Sequence, residues 1–220
     1  MTTQRFLFTA LICLFALKGY SQPIVISSED YWRTYTDALI RSRDIQRRHT
    51  QTTAWYKAGQ LLERWTSGLE KDSEGNSRVR SETLQGKKRT TTESIEINGI
   101  GYCRINRGPW RQTADCDSRG ANLTSFDGET KESFTKETVS IGSSKLLLLR
   151  AYTTIKLIDS SGRQTGRTAF NENKVWISDD NVISKREYVS GFLPKIVEHT
   201  VIESYDYQIQ VPVIRPPLNS

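Results

Sequence analysis

Turn signals divide the chain beyond residue 70 into segments of strand length, and this division limits the folds that the chain can adopt. The breaks recur about every 10 to 15 residues and are rich in Gly, Asn or Asp, which favour tight turns. Such spacing is typical of long strands in an antiparallel meander. The breaks are Glu74-Gly75-Asn76, Gln85-Gly86, Asn98-Gly99, Arg107-Gly108-Pro109, Ser161-Gly162, Asp179-Asp180-Asn181 and Ser190-Gly191.

Alternating side chains predict strands between the breaks. Ile95 and Ile97 share one face of residues 88–97, and residues 174–178 (KVWIS) favour a strand by composition. Two longer segments each keep one parity largely apolar: Leu147, Leu149, Ala151, Thr153, Ile155 and Leu157 in the first, and Val197, Val201, Tyr205, Tyr207, Ile209 and Val211 in the second. We therefore expect a mainly β chain whose proline-rich end (VPVIRPPLNS) leaves the sheet.

One helix is predicted ahead of the strands. Ser27 or Ser28 can cap it, and its acidic first turn and basic last turn suit the helix dipole. The helix is expected to end near Arg47. A stripe at helical spacing is expected to pack on the sheet: Trp32, Tyr35 and Leu39.

The segment of residues 122–142 (NLTSFDGETKESFTKETVSIG) has no clear pattern. It is polar, and Phe126 and Phe134 stand isolated in it. A short helix and a loop over one mouth of the sheet both remain open, and loops of this length are often functional.

The first 21 residues predict a cleaved secretory signal, with an uncleaved anchor as the alternative. Arg5 gives a positive start, and residues 6–17 form an apolar run of about 12 residues, whereas a membrane span takes about 20. Gly19-Tyr20-Ser21 then supplies small residues before the expected cleavage site. We expect residues 22–220 to form one soluble domain that is periplasmic or extracellular.

The net charge is mildly basic. It is +6 for the whole chain, and it falls by two when Arg5 and Lys18 leave with the signal. Such a charge can favour an anionic membrane surface. It is only weak evidence for a nucleic-acid partner, and the predicted export argues against one.

Two cysteines remain after cleavage, Cys103 and Cys116. In an oxidising compartment they can pair, and a closed loop of about 14 residues would stabilise the fold by roughly 3 kcal/mol. The alternative is a metal site or a catalytic thiol, for which the chain offers His49 and His199, neither at zinc-finger spacing. We expect a disulfide, with no metal and no cofactor.

The stretch ESIEINGIGYCRINRGPW, residues 93–110, could be mistaken for a phosphate loop because of Gly99 and Gly101. Arg104 stands where the third glycine of a dinucleotide loop would lie, and no amphipathic helix follows. Asn98-Gly99 instead fits the two-residue turn of a β-hairpin. Because HExxH, GxSxG and Walker motifs are also missing from the sequence, we expect no catalytic residues and no enzyme activity.

A single helix can cover only part of the apolar face of such a sheet. The rest of that face can form an elongated apolar groove, which suits an acyl chain, or it can close on itself as an ordinary core. The pattern leaves both open, because a shift of one residue exchanges the two faces of a strand.

The order of these elements resembles the LolA-like family of periplasmic lipoprotein carriers and their relatives, which include the mycobacterial lipid-carrier lipoproteins. Four elements carry the resemblance: the hairpin and strand from Glu93 to Trp110, the VWI strand from Val175 to Ile177, the Leu193-Pro194 step, and the final strand from Tyr205 to Val211. The resemblance implies an α+β, mainly β fold. Its core would be a strongly curved antiparallel sheet, or half-barrel, with an N-terminal helix packed on it.

The resemblance also implies an exported, monomeric carrier that binds a lipid or an acylated lipoprotein on its apolar concave face and can meet envelope membrane proteins. The alternative is an envelope protein-interaction module that uses the same sheet as a scaffold, without a lipid ligand. The candidate groove residues are Ile95, Ile97, Ile100, Tyr102, Trp110, Leu147, Leu149, Ile155, Val175, Ile177, Val201, Tyr205 and Tyr207.

Overall fold

The computed structural model describes residues 21–45, 47–113, 128–194 and 196–217. Within these ranges it has one helix, α1 (Ser28–Ile45), and twelve strands. The strands are β1 (Ile24–Val25), β2 (Arg48–Lys57), β3 (Gln60–Lys71), β4 (Ser77–Gln85), β5 (Lys88–Ile97), β6 (Ile100–Ile105), β7 (Arg111–Gln112), β8 (Gly128–Ile141), β9 (Ser144–Ile158), β10 (Gln164–Ile177), β11 (Ile183–Phe192) and β12 (Ile196–Asp206).

All of these strands belong to one antiparallel sheet. Their order is β1-β8-β9-β10-β11-β12-β2-β3-β4-β5-β6-β7. The sheet is open, with β1 and β7 at its two edges, and it curves as a half-barrel with one helix. The predicted fold class is therefore confirmed.

The turn at Asn98-Gly99 is a two-residue hairpin turn. Asn98 has a φ of 51° and Gly99 a φ of 78°, so both lie in the left-handed region that the favoured hairpin turn requires. Ile97 and Ile100 pair directly on either side of it. Gly99 therefore makes a turn, as predicted, and Gly101 lies in β6 opposite Glu96, so the stretch is not a phosphate loop.

The helix begins where the sequence indicates. Ser27 Oγ accepts a hydrogen bond from Asp30 N at 3.0 Å, which satisfies one of the free amide groups of the first turn. The helix ends at Ile45, two residues before the expected end near Arg47.

The buried stripe of α1 differs from the predicted one. Tyr31 and Ala38 are fully buried, whereas half of Trp32 is exposed and Leu39 is also exposed. The predicted stripe was wrong in this respect, because the pattern gave the larger Leu39 more weight than the small Ala38. A small residue allows the helix to approach the sheet closely, and Ala38 packs in one cluster with Leu149, Val175 and Ile183.

Different parts of the chain pack on the two faces of the sheet. We call the face under α1 the helix face, and one ladder of paired residues runs along it: Tyr205, His49, Leu69, Val79 and Ser94. Successive side chains of a strand point to opposite faces, so Ile95 and Ile97 lie on the other face. There they pack with Ile214 of the C-terminal segment, residues 207–217. We call that second face the tail face.

A buried carboxylate anchors the C-terminal segment. Asp72 Oδ2 accepts hydrogen bonds from Ile214 N at 2.8 Å and from Asn76 Nδ2 at 3.1 Å. Burial alone would raise the pKa of Asp72, but the bond from Ile214 and those from Asn76 and Glu74 outweigh burial and lower the pKa. The segment leaves the sheet, as predicted, and then packs back onto it.

The segment of residues 122–142 contains a long strand. Residues 128–141 form β8, which pairs with β9 from Gly128↔Leu157 to Ile141↔Ser144. Neither a helix nor a loop was therefore correct for these residues, while residues 122–127 lie outside the described ones. The pattern was weak because polar side chains occupy most of both faces, with Phe134 buried on one and Val139 on the other.

The predicted disulfide stays a prediction. Cys103 is buried in β6, at 1% exposure. Cys116 lies outside the described residues, as do residues 1–20 of the predicted signal.

Ser42 connects α1 to the start of β11. Its Oγ accepts a hydrogen bond from Ile183 N at 2.8 Å and donates one to Ala38 O at 2.6 Å. We predict that Ser42→Ala lowers the free energy of unfolding by about 1–3 kcal/mol, because it leaves a buried amide without its partner. Urea unfolding measures this loss. The exposed Ser144→Ala serves as the control and should change stability by about 0.5 kcal/mol or less; equal effects of the two variants would contradict the assignment.

Candidate functional site

A cavity opens on the helix face beside the first turns of α1. Its volume is about 420 Å³, within the roughly 300–1,000 Å³ of small-molecule sites. We call it the helix-face cavity. It is lined by Trp32 of α1, Gln51 of β2, Glu132 and Phe134 of β8, Ala151 and Thr153 of β9, Asn171 and Asn173 of β10, Arg186 and Tyr188 of β11, and Val201 and Glu203 of β12.

The register of the sheet builds the wall of this cavity. One row of directly paired residues crosses five strands: Phe134, Ala151, Asn173, Tyr188 and Val201. Ala151 contributes only a methyl group to the row, next to the ring of Phe134. This small side chain leaves room that a larger one would fill.

Trp32 lines the cavity on the helix side, and its neighbour Tyr31 supports the lining residues Phe134 and Asn173 from the core. Tyr31 is fully buried, and its ring centroid lies 5.1 Å from that of Phe134. Its hydroxyl oxygen accepts a hydrogen bond from Asn173 Nδ2 at 3.2 Å, and burial raises the pKa of Tyr31 to about 12, so the phenol stays protonated. Trp32 is half exposed, with its ring edge-on to Tyr31, and it forms part of the mouth.

An ion pair forms part of the lining. Arg186 Nη1 lies 3.1 Å from Glu203 Oε2, which also accepts a hydrogen bond from the Tyr205 hydroxyl at 3.0 Å. Burial alone would lower the pKa of Arg186, but Glu203, together with Tyr35 and Tyr205, outweighs burial and raises the pKa. The two charges therefore compensate each other inside the cavity.

Both histidines of the chain lie on the helix face, His49 in β2 and His199 in β12. His49 stacks on Tyr205, and its Nε2 lies 3.9 Å from Glu203 Oε1. His199 stacks on Trp55 with a centroid distance of 5.4 Å and meets Tyr188 edge-on. Burial lowers the pKa of both imidazoles.

The structure brings few of the predicted groove residues to the cavity. Val201 lines it directly. Leu147, Leu149, Val175, Ile177 and Tyr205 belong to the core next to α1, Tyr207 stacks on Tyr205, and Ile155 is buried. The hairpin residues are elsewhere: Ile95, Ile97 and Trp110 pack with the C-terminal segment on the tail face, and Tyr102 and Ile100 pair with Ile95 and Ile97.

Several lining residues were not among the predicted ones. They are Trp32, Gln51, Glu132, Phe134, Ala151, Thr153, Asn171, Asn173, Arg186, Tyr188 and Glu203. Trp32 was interpreted as core, and Phe134 lay in a segment without a clear pattern. The parity of β11 alone could have pointed to Arg186 and Tyr188, but only its pairing with β12 shows that this parity faces Val201.

The described residues contain neither a cluster of metal-binding side chains nor a membrane-spanning helix. No group of three or more His, Cys, Asp or Glu side chains is placed to hold a metal ion there. No helix in that part of the chain is long and apolar enough to cross a membrane.

Comparisons with known proteins give distant structural likeness among solved structures. No family model and no curated protein matches the chain. Among solved structures, the crystal structure of LprF from Mycobacterium bovis is similar, with 12% identity and a TM-score of 0.43. The alignment covers 86% of this chain and 97% of that one. Such a likeness does not assign the chain to a family.

We predict that the fold loses stability as the pH falls below the ordinary histidine pKa of 6.5. Because burial lowers the pKa of His199 in the folded state, the unfolded chain takes up a proton first. The stability that neutral His199 contributes is fully present above pH 6.5 and is lost as the pH falls toward the lowered pKa. Urea unfolding of the wild type and of His199→Gln on both sides of 6.5 measures it.

The variant should lose less stability on acidification than the wild type does. His49→Gln removes the other histidine with a lowered pKa, so the stability of the double variant should depend on pH even less. Identical pH dependence in the wild type and the double variant would show that the histidines do not contribute.

Proposed function

We propose that this protein is an exported carrier that binds the acyl chain of a lipid or an acylated protein in the helix-face cavity. The observation that carries the proposal is the cavity itself, which is open beside Trp32 and has Phe134, Ala151 and Val201 in its wall. The proposal assigns no catalytic step. It places the protein outside the cytoplasm, as the N-terminal segment predicts.

The chemistry of the wall favours a flexible apolar ligand. Each methylene group removed from water contributes about 0.8 kcal/mol, so a chain that fills part of the cavity binds through many small contacts. The aromatic rings of Trp32, Phe134 and Tyr188 offer broad apolar contact of this kind.

The polar groups of the lining favour an amphiphile over a plain hydrocarbon. Asn171, Thr153 and Glu132 lie together along one row of the lining, because Thr153 pairs with both of the others. These groups can hydrogen-bond a headgroup or its linkage, while the apolar row beside them takes the chain. A few placed polar groups in an apolar site commonly set the orientation of a ligand.

The first experiment is lipid mass spectrometry on the purified mature protein. We expect an acyl-chain amphiphile to co-purify, and a fluorescent fatty-acid probe to bind after delipidation. A protein that carries no lipid and also fails to take up the probe would contradict the proposal.

Filling the cavity should block binding. We predict that Val201→Trp weakens binding of the probe by about tenfold or more, equivalent to about 1.4 kcal/mol, because the indole occupies space beside Tyr188. Probe titration by fluorescence measures the change.

The matched control is Ile202→Trp, the same substitution at the next residue of β12. Ile202 is exposed and points to the tail face, so this variant should bind the probe as the wild type does. Equal loss in both variants, or no loss in either, would show that the probe binds elsewhere.

The alternative is an envelope protein-interaction module. The outer side of α1 favours it, because Ile40 and Ile45 are exposed, at 61% and 43%, beside Asp37 and Arg41. A pull-down that finds one stable protein partner, lost on Ile40→Ser, together with negative lipid results, would favour this function over the first.

A further inference from the structure

An arginine cluster surrounds a single carboxylate on the tail face, away from the helix-face cavity. Glu93 of β5 accepts hydrogen bonds from Arg104 Nε at 2.9 Å and from Arg80 Nε at 3.1 Å. A third guanidinium, that of Arg78, has its Nε 3.7 Å from Glu93 Oε1. The carboxylate compensates one of these charges, which leaves two positive charges beside it.

The register explains why the charges converge. Arg80 pairs directly with Glu93, and Glu93 pairs with Arg104, so one row of side chains crosses β4, β5 and β6 on the tail face. The row continues to Gly68 of β3, which has no side chain to cover Arg80. Arg80 consequently remains 62% exposed, while Glu93 below it is only 14% exposed.

A depression of about 440 Å³ lies over this row. Arg107, from the turn that follows β6, lines it together with Arg80 and Arg104. The side chains of Thr66 and Thr91 also line it and supply hydroxyl groups. Glu82 lies there as well, but its carboxylate is bonded to the guanidinium of Arg89 and is thereby compensated.

We propose that this depression binds a phosphate-type oxyanion, supplied either by a lipid headgroup or by a free phosphate ester. Planar guanidinium groups match phosphate oxygens with paired hydrogen bonds, and hydroxyl groups complete such sites. Glu93 orients Arg80 and Arg104 from below, and their exposed N–H groups remain for the ligand.

The charge state of Glu93 gives the site a distinctive test. Burial alone would raise the pKa of Glu93, but the hydrogen bonds from Arg104 and Arg80 outweigh it and lower the pKa, so the group is a carboxylate at neutral pH. Its negative charge repels a phosphate that is bound to the exposed N–H groups of the same arginines, whereas a glutamine there keeps an oxygen that accepts from them without that charge. Glu93→Gln should therefore bind phosphate more tightly than the wild type, a gain that a purely structural role would not produce.

The experiment uses the mature full-length chain and two probes. Sedimentation with phosphatidylcholine vesicles, with and without phosphatidylglycerol, tests the headgroup source. Calorimetric titration with glycerol 3-phosphate tests the soluble source. For a headgroup, Arg80→Gln and Arg107→Gln should each weaken binding to the anionic vesicles by about fivefold. For a free ester, the same two variants should bind glycerol 3-phosphate more weakly, and the wild type should show no preference for anionic vesicles.

Lys131→Gln is the matched control, because it removes one positive charge from an exposed position of β8 at the other end of the sheet. It should leave both kinds of binding unchanged. An equal loss in this control and in Arg80→Gln would overturn the proposal, since the effect would then be one of net charge. Failure of the wild type to bind either probe would also overturn it.

The outcome is separable from that of the proposed acyl-chain binding. Val201→Trp alters the opposite face of the sheet and should leave phosphate binding unchanged, and Arg80→Gln should leave uptake of the fatty-acid probe unchanged.

Discussion

The pairing of β12 with β2 is the contact on which the rest of the architecture depends. It joins the last strand of the chain to the first long one, from His199↔Trp55 to Asp206↔Arg48. Without it, β8 to β12 and β2 to β7 would form two separate sheets. The partners lie near opposite ends of the chain, so the ladder must offset a large loss of chain entropy. Stacked rings on the helix face support it, with the His49 and Tyr205 centroids 4.7 Å apart.

A continuous sheet of this width has two large faces, and the described residues cover each of them only in part. On the helix face, α1 packs on β8 and β11, and the cavity opens where its first turns end. On the tail face, the C-terminal segment packs on Ile95 and Ile97 and is held there by Asp72. The cavity and the arginine depression both lie where these covers stop. The two candidate sites therefore follow from the same constraint, a shortage of covering structure.

The sequence predicted the elements better than it predicted their faces. The Asn98-Gly99 turn and the Ser27 cap depend on a few adjacent residues, so local pattern was sufficient for both. The groove residues could not be predicted in the same way. Alternation separates the two faces of a strand, but it does not say which part of the chain covers each face. Ile95 and Ile97 were predicted as groove residues, and in the structure they pack with Ile214 of the C-terminal segment. Arg186 and Phe134 reach the cavity through the register in which their strands pair with the next ones, at Glu203 and Ala151, and the pattern of a single strand does not encode that register.

The composition of the helix face limits how far an apolar ligand can extend. The helix α1 contacts both β8 and β11 and packs with Leu149 and Val175 between them, so it crosses four of the twelve strands in the described sheet. The uncovered remainder is not uniformly apolar. Beyond β2 the same face mixes Trp65, Leu69 and Val79 with the hydroxyl groups of Ser67, Ser81, Thr83, Thr90, Thr92 and Ser94. An acyl chain would lose contact energy by crossing onto them, because hydroxyl groups without a hydrogen-bond partner are costly to bury. The apolar part of the proposed ligand therefore fits between α1 and β12, and its polar end fits against Glu132, Thr153 and Asn171 of the same cavity.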